Sequence, residues 1–254
     1  MNLSLINPKH YLTEFKRFLN YLKQPVRINS QTGTTYQKIR GTWTIFVIKT
    51  MLTIAIGVLV TLIYDPVNKT VVRWNDEFST LTIFFLSIII LPLFEEIAFR
   101  LSLRFKPLSL SLTLGTLSYY FMSKAICHTS LSNVDHHFTA RLLVAAGVIV
   151  VSYPILYQQK IKNVLEVFWE MNFKWIFYFF CFAFAWMHIF NYGITLKHLL
   201  LLPIITLPKL ISAMTYEYIR MHYGFIYSLG LHMFWNSIGF VVSLFPTIVD
   251  DLIF

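Results

Sequence analysis

The chain has 254 residues, of which 56% are hydrophobic and only 13% are charged, and its formal net charge is +9. Apolar runs recur along almost the whole sequence, which excludes an ordinary water-soluble domain and predicts a membrane protein. No basic tract is interleaved with aromatic residues. We therefore interpret the positive charge as a topology signal and an attraction to anionic lipid, with the lipid bilayer as a partner and no nucleic acid expected.

Residues 1–42 are predicted to form a cytoplasmic N-terminal segment ahead of a membrane domain at residues 43–254. No cleavable signal is expected, because the first apolar run begins only near Trp43 and is long enough to be a permanent anchor. A short helix ending at Pro25 either lies amphipathically on the inner membrane surface or packs as an ordinary cytosolic helix. Its apolar residues recur at helical spacing: Tyr11, Phe15, Phe18, Leu19 and Leu22.

Seven apolar segments, each near the ~20 residues that a bilayer requires, predict an all-α, polytopic transmembrane helical bundle. They are residues 43–64, 80–100, 108–126, 140–157, 175–193, 198–218 and 224–245. Six or eight spans are the alternatives, if one segment is re-entrant or the N-terminal segment enters the membrane.

The basic residues divide the loops into two classes. Lys and Arg concentrate before the first span and after the second, fourth and sixth spans, whereas the other loops carry fewer cations. Because cytoplasmic loops are the ones enriched in Lys and Arg, this pattern places the N-terminus inside and the C-terminus outside.

Polar side chains interrupt three of the apolar spans. Glu95 and Glu96 are adjacent in the second span, and Arg100 follows Glu96 by four residues on the same helix face. An ionisable residue in a membrane segment costs ~2.5–3.5 kcal/mol on insertion scales, so the pair needs partners or a function. The fifth and seventh spans add polar residues about one turn apart: His188 and Asn191, then His232 and Asn236.

A single His or Asn in a membrane helix often only forms a hydrogen bond to a neighbouring helix. Two carboxylates, two imidazoles and an amide together can supply more. They provide a general base, a second base or metal ligand, and hydrogen-bond donors for a developing oxyanion.

Three short motifs in these spans resemble those of the CPBP family, which comprises type II CaaX prenyl endopeptidases and bacterial relatives such as lysostaphin resistance protein A-like proteins. Residues 95–100, Glu-Glu-Ile-Ala-Phe-Arg, resemble its EExxxR motif. Residues 184–188, Phe-Ala-Trp-Met-His, resemble FxxxH, and residues 232–236, His-Met-Phe-Trp-Asn, resemble HxxxN. The resemblance covers about residues 81–245.

The resemblance implies an intramembrane endopeptidase of a bacterial inner (plasma) membrane that cleaves membrane-associated or lipid-modified, for example prenylated, peptides or proteins. It implies that Glu95 and His188 activate water and that Glu96 pairs with Arg100 to hold the site. His232 and Asn236 would stabilise the oxyanion. Phe184 and Asn191 are assigned structural support.

Other functions and a metal stay open at this point. The chain lacks the His-Glu-x-x-His signature of soluble zinc proteases, yet Glu95, His188 and His232 could form a zinc site with an open water position. A proton- or ion-coupled transporter would also use intramembrane carboxylates and histidines, although no inverted repeat is evident. A non-catalytic bacteriocin-immunity or scaffold protein is the third alternative.

Two features depart from the familiar pattern. Two whole spans separate the first motif from the second, and they are expected to cover the site or shape substrate entry. The span limits also place Glu95 near the inner face and His188 near the outer face, unless helices tilt or Pro92 kinks the second span.

Several further residues are assigned structural or surface roles. Lys49 and Lys209 are isolated in apolar runs and either snorkel or face the bundle interior. Cys127 and Cys181 are expected to be buried packing residues. The remaining polar groups are a loop cluster that is either solvated or metal-binding, and a helix-anchoring set: His128, Asp135, His136 and His137, then Glu217, Arg220 and His222.

Overall fold

The computed structural model describes residues 8–28 and 33–245, and every regular element within them is a helix. This confirms the predicted all-α bundle. The C-terminal residues 246–254, which the charge pattern places on the outer side, lie outside the described residues.

The helices follow one another in a simple order. The first three are α1 (Pro8–Lys23), α2 (Thr35–Ile63) and α3 (Lys69–Glu77). The second apolar span consists of α4 (Thr80–Phe84), a π-helical turn (Phe85–Ile90), α5 (Leu91–Phe99) and a 3₁₀ turn (Leu101–Leu103). Next come α6 (Pro107–Phe121) with a π-helical turn (Met122–Ile126), α7 (Phe138–Tyr157), α8 (Gln159–Met171), and α9 (Phe173–Met187) with a 3₁₀ turn (His188–Asn191). The last helices are α10 (Leu196–Leu200), α11 (Leu202–Ile205), α12 (Leu207–His222) and α13 (Phe225–Ser243).

The N-terminal helix α1 packs onto the bundle. Its buried Phe18 and Tyr21 make edge-to-face ring contacts with Tyr218, at centroid distances of 5.3 and 5.4 Å. The hydroxyl of Tyr178 in α9 donates to the backbone carbonyl of Leu22. Aromatic rings on one face of α1 therefore join it to α9 and α12.

Helix α2 begins before the predicted membrane domain does. A capping box starts it: the Thr34 hydroxyl accepts from the N–H of Gln37, and the Gln37 side chain accepts from the N–H of Thr34. The boundary predicted between residues 42 and 43 therefore falls inside α2, because this polar start signal precedes the apolar run.

Among residues 8–28 and 33–245, five helices are long and apolar enough to cross a membrane, which supports a membrane helical bundle. They are Thr35–Ile63, Thr80–Leu103, Phe138–Tyr157, Phe173–Asn191 and Phe225–Ser243. These helices coincide with the first, second, fourth, fifth and seventh predicted spans, and the number of spans stays a prediction.

The two other predicted spans have a different construction. Residues 108–126 form α6 and its π-helical turn, which pack beside α7. Residues 198–218 are not one continuous helix, because Pro203 and Pro208 each lie at the start of a new helix and divide the segment among α10, α11 and α12.

Helix α12 lies at the centre of the bundle, where it packs against α2, α9 and α13. Its Tyr216, Ile219 and Met221 are buried. Helix α5 contacts α6, α9 and α13. The three helices that carry the motifs are therefore neighbours.

Candidate active site

The helix that carries the glutamates has a π-helical turn just before them. The N–H of Leu91 bonds to the carbonyl of Leu86, five residues back, and Pro92 has no N–H to offer. The carbonyl of Ser87 is consequently left without a helical donor, and Asn236 Nδ2 donates to it at 2.8 Å. Pro92 was expected to kink the second span. In the structure it follows a π-helical turn, and the hydrogen bond from Asn236 joins this turn to α13.

Glu96 is fully buried and its carboxylate has three partners. His232 Nδ1 lies 3.0 Å from Oε1, and the Ser228 hydroxyl donates to Oε2 at 2.7 Å. Arg100 Nη1 lies 3.5 Å from Oε1, one turn along the helix. A buried carboxylate that is paired and hydrogen-bonded in this way is suited to hold its neighbours in place.

Glu95 points to a different side of the helix, because consecutive helical residues differ by about 100°. Its side chain is 19% exposed, whereas that of Glu96 is 0% exposed. Glu95 lines an internal cavity, and its Oε2 lies 3.4 Å from Nε2 of His232. Of the two glutamates, Glu95 is the one that can meet water and substrate.

Phe184 contacts each of its polar neighbours in the site. The guanidinium carbon of Arg100 lies 3.9 Å from its ring centroid, a cation–π geometry. Its ring centroid lies 4.7 Å from that of His188 and 6.1 Å from that of His232. Its backbone carbonyl accepts a hydrogen bond from His188 Nδ1 at 2.8 Å, which leaves Nε2 of the neutral imidazole as an acceptor.

Glu95, His188, His232 and Asn236 line one cavity of about 270 Å³. The structure therefore brings together side chains from α5, from the end of α9 and from α13. The span limits alone set Glu95 and His188 near opposite faces of the membrane, whereas the structure brings both to this cavity. The limits of an apolar run do not show where neighbouring helices meet.

Asn191 also borders this cavity, but its amide joins helices. Its Oδ1 accepts a hydrogen bond from the Thr70 hydroxyl at 3.3 Å, which links the end of α9 to α3. This contact is in keeping with the structural support assigned to Asn191.

The zinc alternative does not fit this arrangement. Within residues 8–28 and 33–245, no group of three or more His, Cys, Asp or Glu residues is placed to hold a metal ion. Both ring nitrogens of His232 face carboxylates, and Nδ1 of His188 faces a carbonyl. Glu95, His188 and His232 would have to rearrange to share one ion.

Sequence reasoning missed two residues of the site, Ser228 and Tyr216, and left the position of a third, Lys209, open. Ser228 precedes His232 by four residues, so helical spacing alone could have placed it on the same face. Tyr216 stacks on the His232 ring at a centroid distance of 4.6 Å and an angle of 22°, which no pattern indicated. Lys209 lines the cavity, which selects the bundle interior from its two predicted positions.

The loop between the π-helical turn Met122–Ile126 and α7 forms a polar network, and residues 130–132 of this loop also line the cavity. Asp135 Oδ1 lies 3.1 Å from Arg141 Nη2, and the rings of His136 and His137 are 3.8 Å apart. Loss of solvation acts to raise the pKa of Asp135, but bonds from Thr129 and the His137 N–H, together with the Arg141 charge, outweigh it and lower that pKa. The carboxylate thus orders the loop.

Of the residues predicted to anchor the end of α12, Arg220 makes contacts that agree with this role, whereas both carboxylate oxygens of Glu217 are buried without a hydrogen-bond partner. Arg220 Nε donates to the carbonyl of Arg100 at 3.0 Å, and Arg220 Nη2 donates to that of Leu101 at 3.1 Å. These bonds satisfy carbonyls at the C-terminal end of α5. Cys181 is buried, whereas Cys127 is only partly so, and neither forms a disulfide.

Comparisons of the chain with protein-family models, with curated proteins and with solved structures find no match. The resemblance carried by the three motifs therefore stays a prediction, and the site rests on its geometry.

Proposed function

We propose that the chain is an intramembrane endopeptidase, similar to the CPBP family, that hydrolyses membrane-associated or lipid-modified peptides or proteins. One observation carries the proposal. A single cavity in the apolar bundle is lined by four polar side chains from segments that are distant in sequence. They are a candidate general base, two imidazoles and a carboxamide: Glu95, His188, His232 and Asn236.

In the proposed reaction, Glu95 and Nε2 of His188 accept the two hydrogen bonds of a water molecule in the cavity. The water oxygen attacks the peptide carbonyl carbon, its proton passes to Glu95, and an oxyanion forms on the carbonyl oxygen. Collapse of this intermediate breaks the C–N bond, and the proton held by Glu95 passes to the leaving amine. Glu96 and Arg100 at the end of α5, together with Phe184 of α9, hold α5 and α9 together.

The oxyanion roles assigned to His232 and Asn236 stay predictions. Asn236 keeps one amide hydrogen for such a role, because Nδ2 donates the other to the carbonyl of Ser87. His232 is held between Glu95 and Glu96, so its Nε2 would have to move from Glu95 to serve an oxyanion.

We place the protein in a bacterial inner membrane with its N-terminus in the cytoplasm. Five membrane-spanning candidates and the alternation of basic loops support this orientation. The substrate would then reach the cavity from the bilayer or from the outer side.

The test is cleavage of a fluorogenic farnesylated CaaX peptide and of an unprenylated helical peptide library by detergent-purified protein. Glu95→Gln should lower kcat/KM by about 10²–10⁴, the usual contribution of a general base, with unchanged thermal unfolding. Glu170→Gln is the matched control, because Glu170 is an exposed glutamate in α8 and should behave as wild type.

Other outcomes point to the alternatives. If folded wild type cleaves none of the probes but mediates proton flux in vesicles that Glu95→Gln abolishes, the chain is a transporter. If it neither cleaves nor transports, yet retains a bound peptide in both forms, a non-catalytic scaffold is the better description. A chelator that abolishes cleavage would show that the site rearranges around a metal.

A further inference from the structure

The hydrogen-bond donors of the three motifs are largely occupied. His232 faces Glu96 with Nδ1 and Glu95 with Nε2, at 3.0 and 3.4 Å. His188 donates from Nδ1 to the Phe184 carbonyl, and Asn236 Nδ2 donates to the Ser87 carbonyl. Arg100 keeps unpartnered N–H groups, but it does not line the cavity. Among the motif residues that line the cavity, one amide hydrogen of Asn236 is the donor that remains, which is little for the full charge of an oxyanion.

Lys209 is an unused cation in the same cavity. It lies in the first turn of α12, directly after Pro208, and makes no hydrogen bond or ion pair with any described residue. Its ammonium group is close enough to Glu95 and His188 to interact electrostatically with both. Residues 209, 212 and 216 all line the cavity, so one face of α12 forms this wall.

The other unpartnered donors of the wall are less suitable. The hydroxyls of Tyr120 and Tyr216 and the indole N–H of Trp74 have no partner either, but these atoms are buried and carry no charge. Lys124 lines the cavity too, with its ammonium 5.8 Å from the Phe190 ring and Arg73 as the charged group that acts on it. Of the two lysines that line the cavity, Lys209 is therefore the one whose charge acts on Glu95, the candidate base.

We infer that Lys209 is a catalytic residue whose ammonium group donates a hydrogen bond to the oxyanion of the tetrahedral intermediate. This inference rests on the proposed peptidase function. As the water oxygen bonds to the carbonyl carbon, the C=O electron pair moves to the oxygen, and the charge of Lys209 stabilises it. Lys209 keeps its proton throughout, since the proton from water travels through Glu95 to the leaving amine.

The helix break at Pro208, in the sixth predicted span, determines where Lys209 lies. Because Pro208 starts α12 at this level, residue 209 lies at a helix end beside the cavity. A flexible four-carbon side chain can then follow the carbonyl oxygen as it becomes tetrahedral.

The experiment compares Lys209→Met, Lys209→Arg and Lys209→Gln with wild type on the peptide that wild type cleaves. Lys209→Met should lower kcat by about 10²–10³, the usual loss for one oxyanion donor, with little change in KM. Lys209→Arg should lie much closer to wild type, because a guanidinium also donates to an oxyanion. Lys160→Met, an exposed lysine of α8, is the control and should keep wild-type kcat.

A second readout does not depend on turnover. A phosphinic analogue of the cleaved peptide carries a tetrahedral anion, whereas a ketomethylene analogue is neutral. Wild type should prefer the phosphinic analogue, and Lys209→Met should reduce that preference in Kd by about 10²-fold. If Lys209→Met fails to fold, Lys209→Gln is measured in its place.

The outcomes separate the two claims. Wild-type kcat in Lys209→Met, or a lower kcat with an unchanged phosphinic preference, overturns the role of Lys209 and leaves the peptidase proposal standing. If folded wild type cleaves no probe, the peptidase proposal fails and the inference falls with it.

Discussion

Among individual residues, Glu96 has the most closely defined surroundings. Ser228 Oγ contributes the shortest of its hydrogen bonds, 2.7 Å, and lies 3.0 Å from the Tyr216 carbonyl. The hydroxyl thereby connects α5, α12 and α13 at one buried point. Removing it leaves a buried carboxylate oxygen without its donor.

We expect Ser228→Ala to lower the free energy of unfolding by roughly 1.5–3 kcal/mol, the usual value of a hydrogen bond to a charged group. Thermal or denaturant unfolding in detergent measures this. Ser237→Ala, on the same helix, is the control, because the Ser237 hydroxyl bonds to the carbonyl of Phe234 in its own helix. Equal stability of the two variants would contradict the role given to Ser228.

At this scale the sequence predicted which polar residues matter better than it predicted their partners. Apolar surroundings made Glu95, Glu96 and His232 conspicuous. Ser228 was missed because a serine in a membrane helix is common and carries no charge. Tyr216 was missed because its ring joins the site through tertiary stacking, which has no periodic signal.

At the scale of helices, α6 and α7 approach each other closely at Gly115. A Cβ atom at Gly115 would lie 2.3 Å from Ile149 Cγ1 and 2.9 Å from the backbone oxygen of Ala145. Backbone atoms cannot move aside as a flexible side-chain tip can. Gly115 therefore sets the distance between the two helices that separate the first motif from the second.

Gly115→Ala should lower the free energy of unfolding by about 1–3 kcal/mol, because overpacking forces the helices apart. Gly147→Ala is a matched control with the opposite sign, since nothing lies within 4 Å of its Cβ position. That variant should gain up to about 1 kcal/mol of helix propensity. Unfolding in detergent checks both, and a tolerated Gly115→Ala would contradict the close packing.

The apolar runs predicted that helices form in these segments, but they did not predict where a helix is interrupted. The run at residues 198–218 is apolar enough to resemble one span, and hydropathy does not register the two prolines that divide it. The π-helical turn before Pro92 was not predicted either, because the hydrogen bond by which Asn236 of α13 satisfies the Ser87 carbonyl is a tertiary contact with no signal in the local sequence.

At the scale of the whole molecule, the proposed orientation in the membrane rests on the distribution of charge alone. Cys127 lies just after the π-helical turn Met122–Ile126, next to a loop predicted to face outward, and is partly exposed. Cys181 is buried. The two native thiols therefore differ in their expected access to reagents.

A membrane-impermeant maleimide should label Cys127 in intact cells, and Cys127→Ser should abolish that labelling. In the Cys127→Ser protein, Lys160→Cys places a thiol on α8, which lies in the connection predicted to face the cytoplasm, and it should react only after permeabilisation. The labelled fraction is read by mass shift on a gel. The reverse pattern would mean that the chain is inserted with its N-terminus outside.

The π-helical turn also sets the phase of the helix that follows it. Each residue of an α-helix turns the direction of the next side chain by about 100°, so one residue more or less in the turn rotates all that lies beyond it. Were one residue removed between positions 85 and 90, Glu96 would face where Glu95 now faces. The length of this turn thus decides which of two chemically identical neighbours meets water, and which is sealed inside the protein.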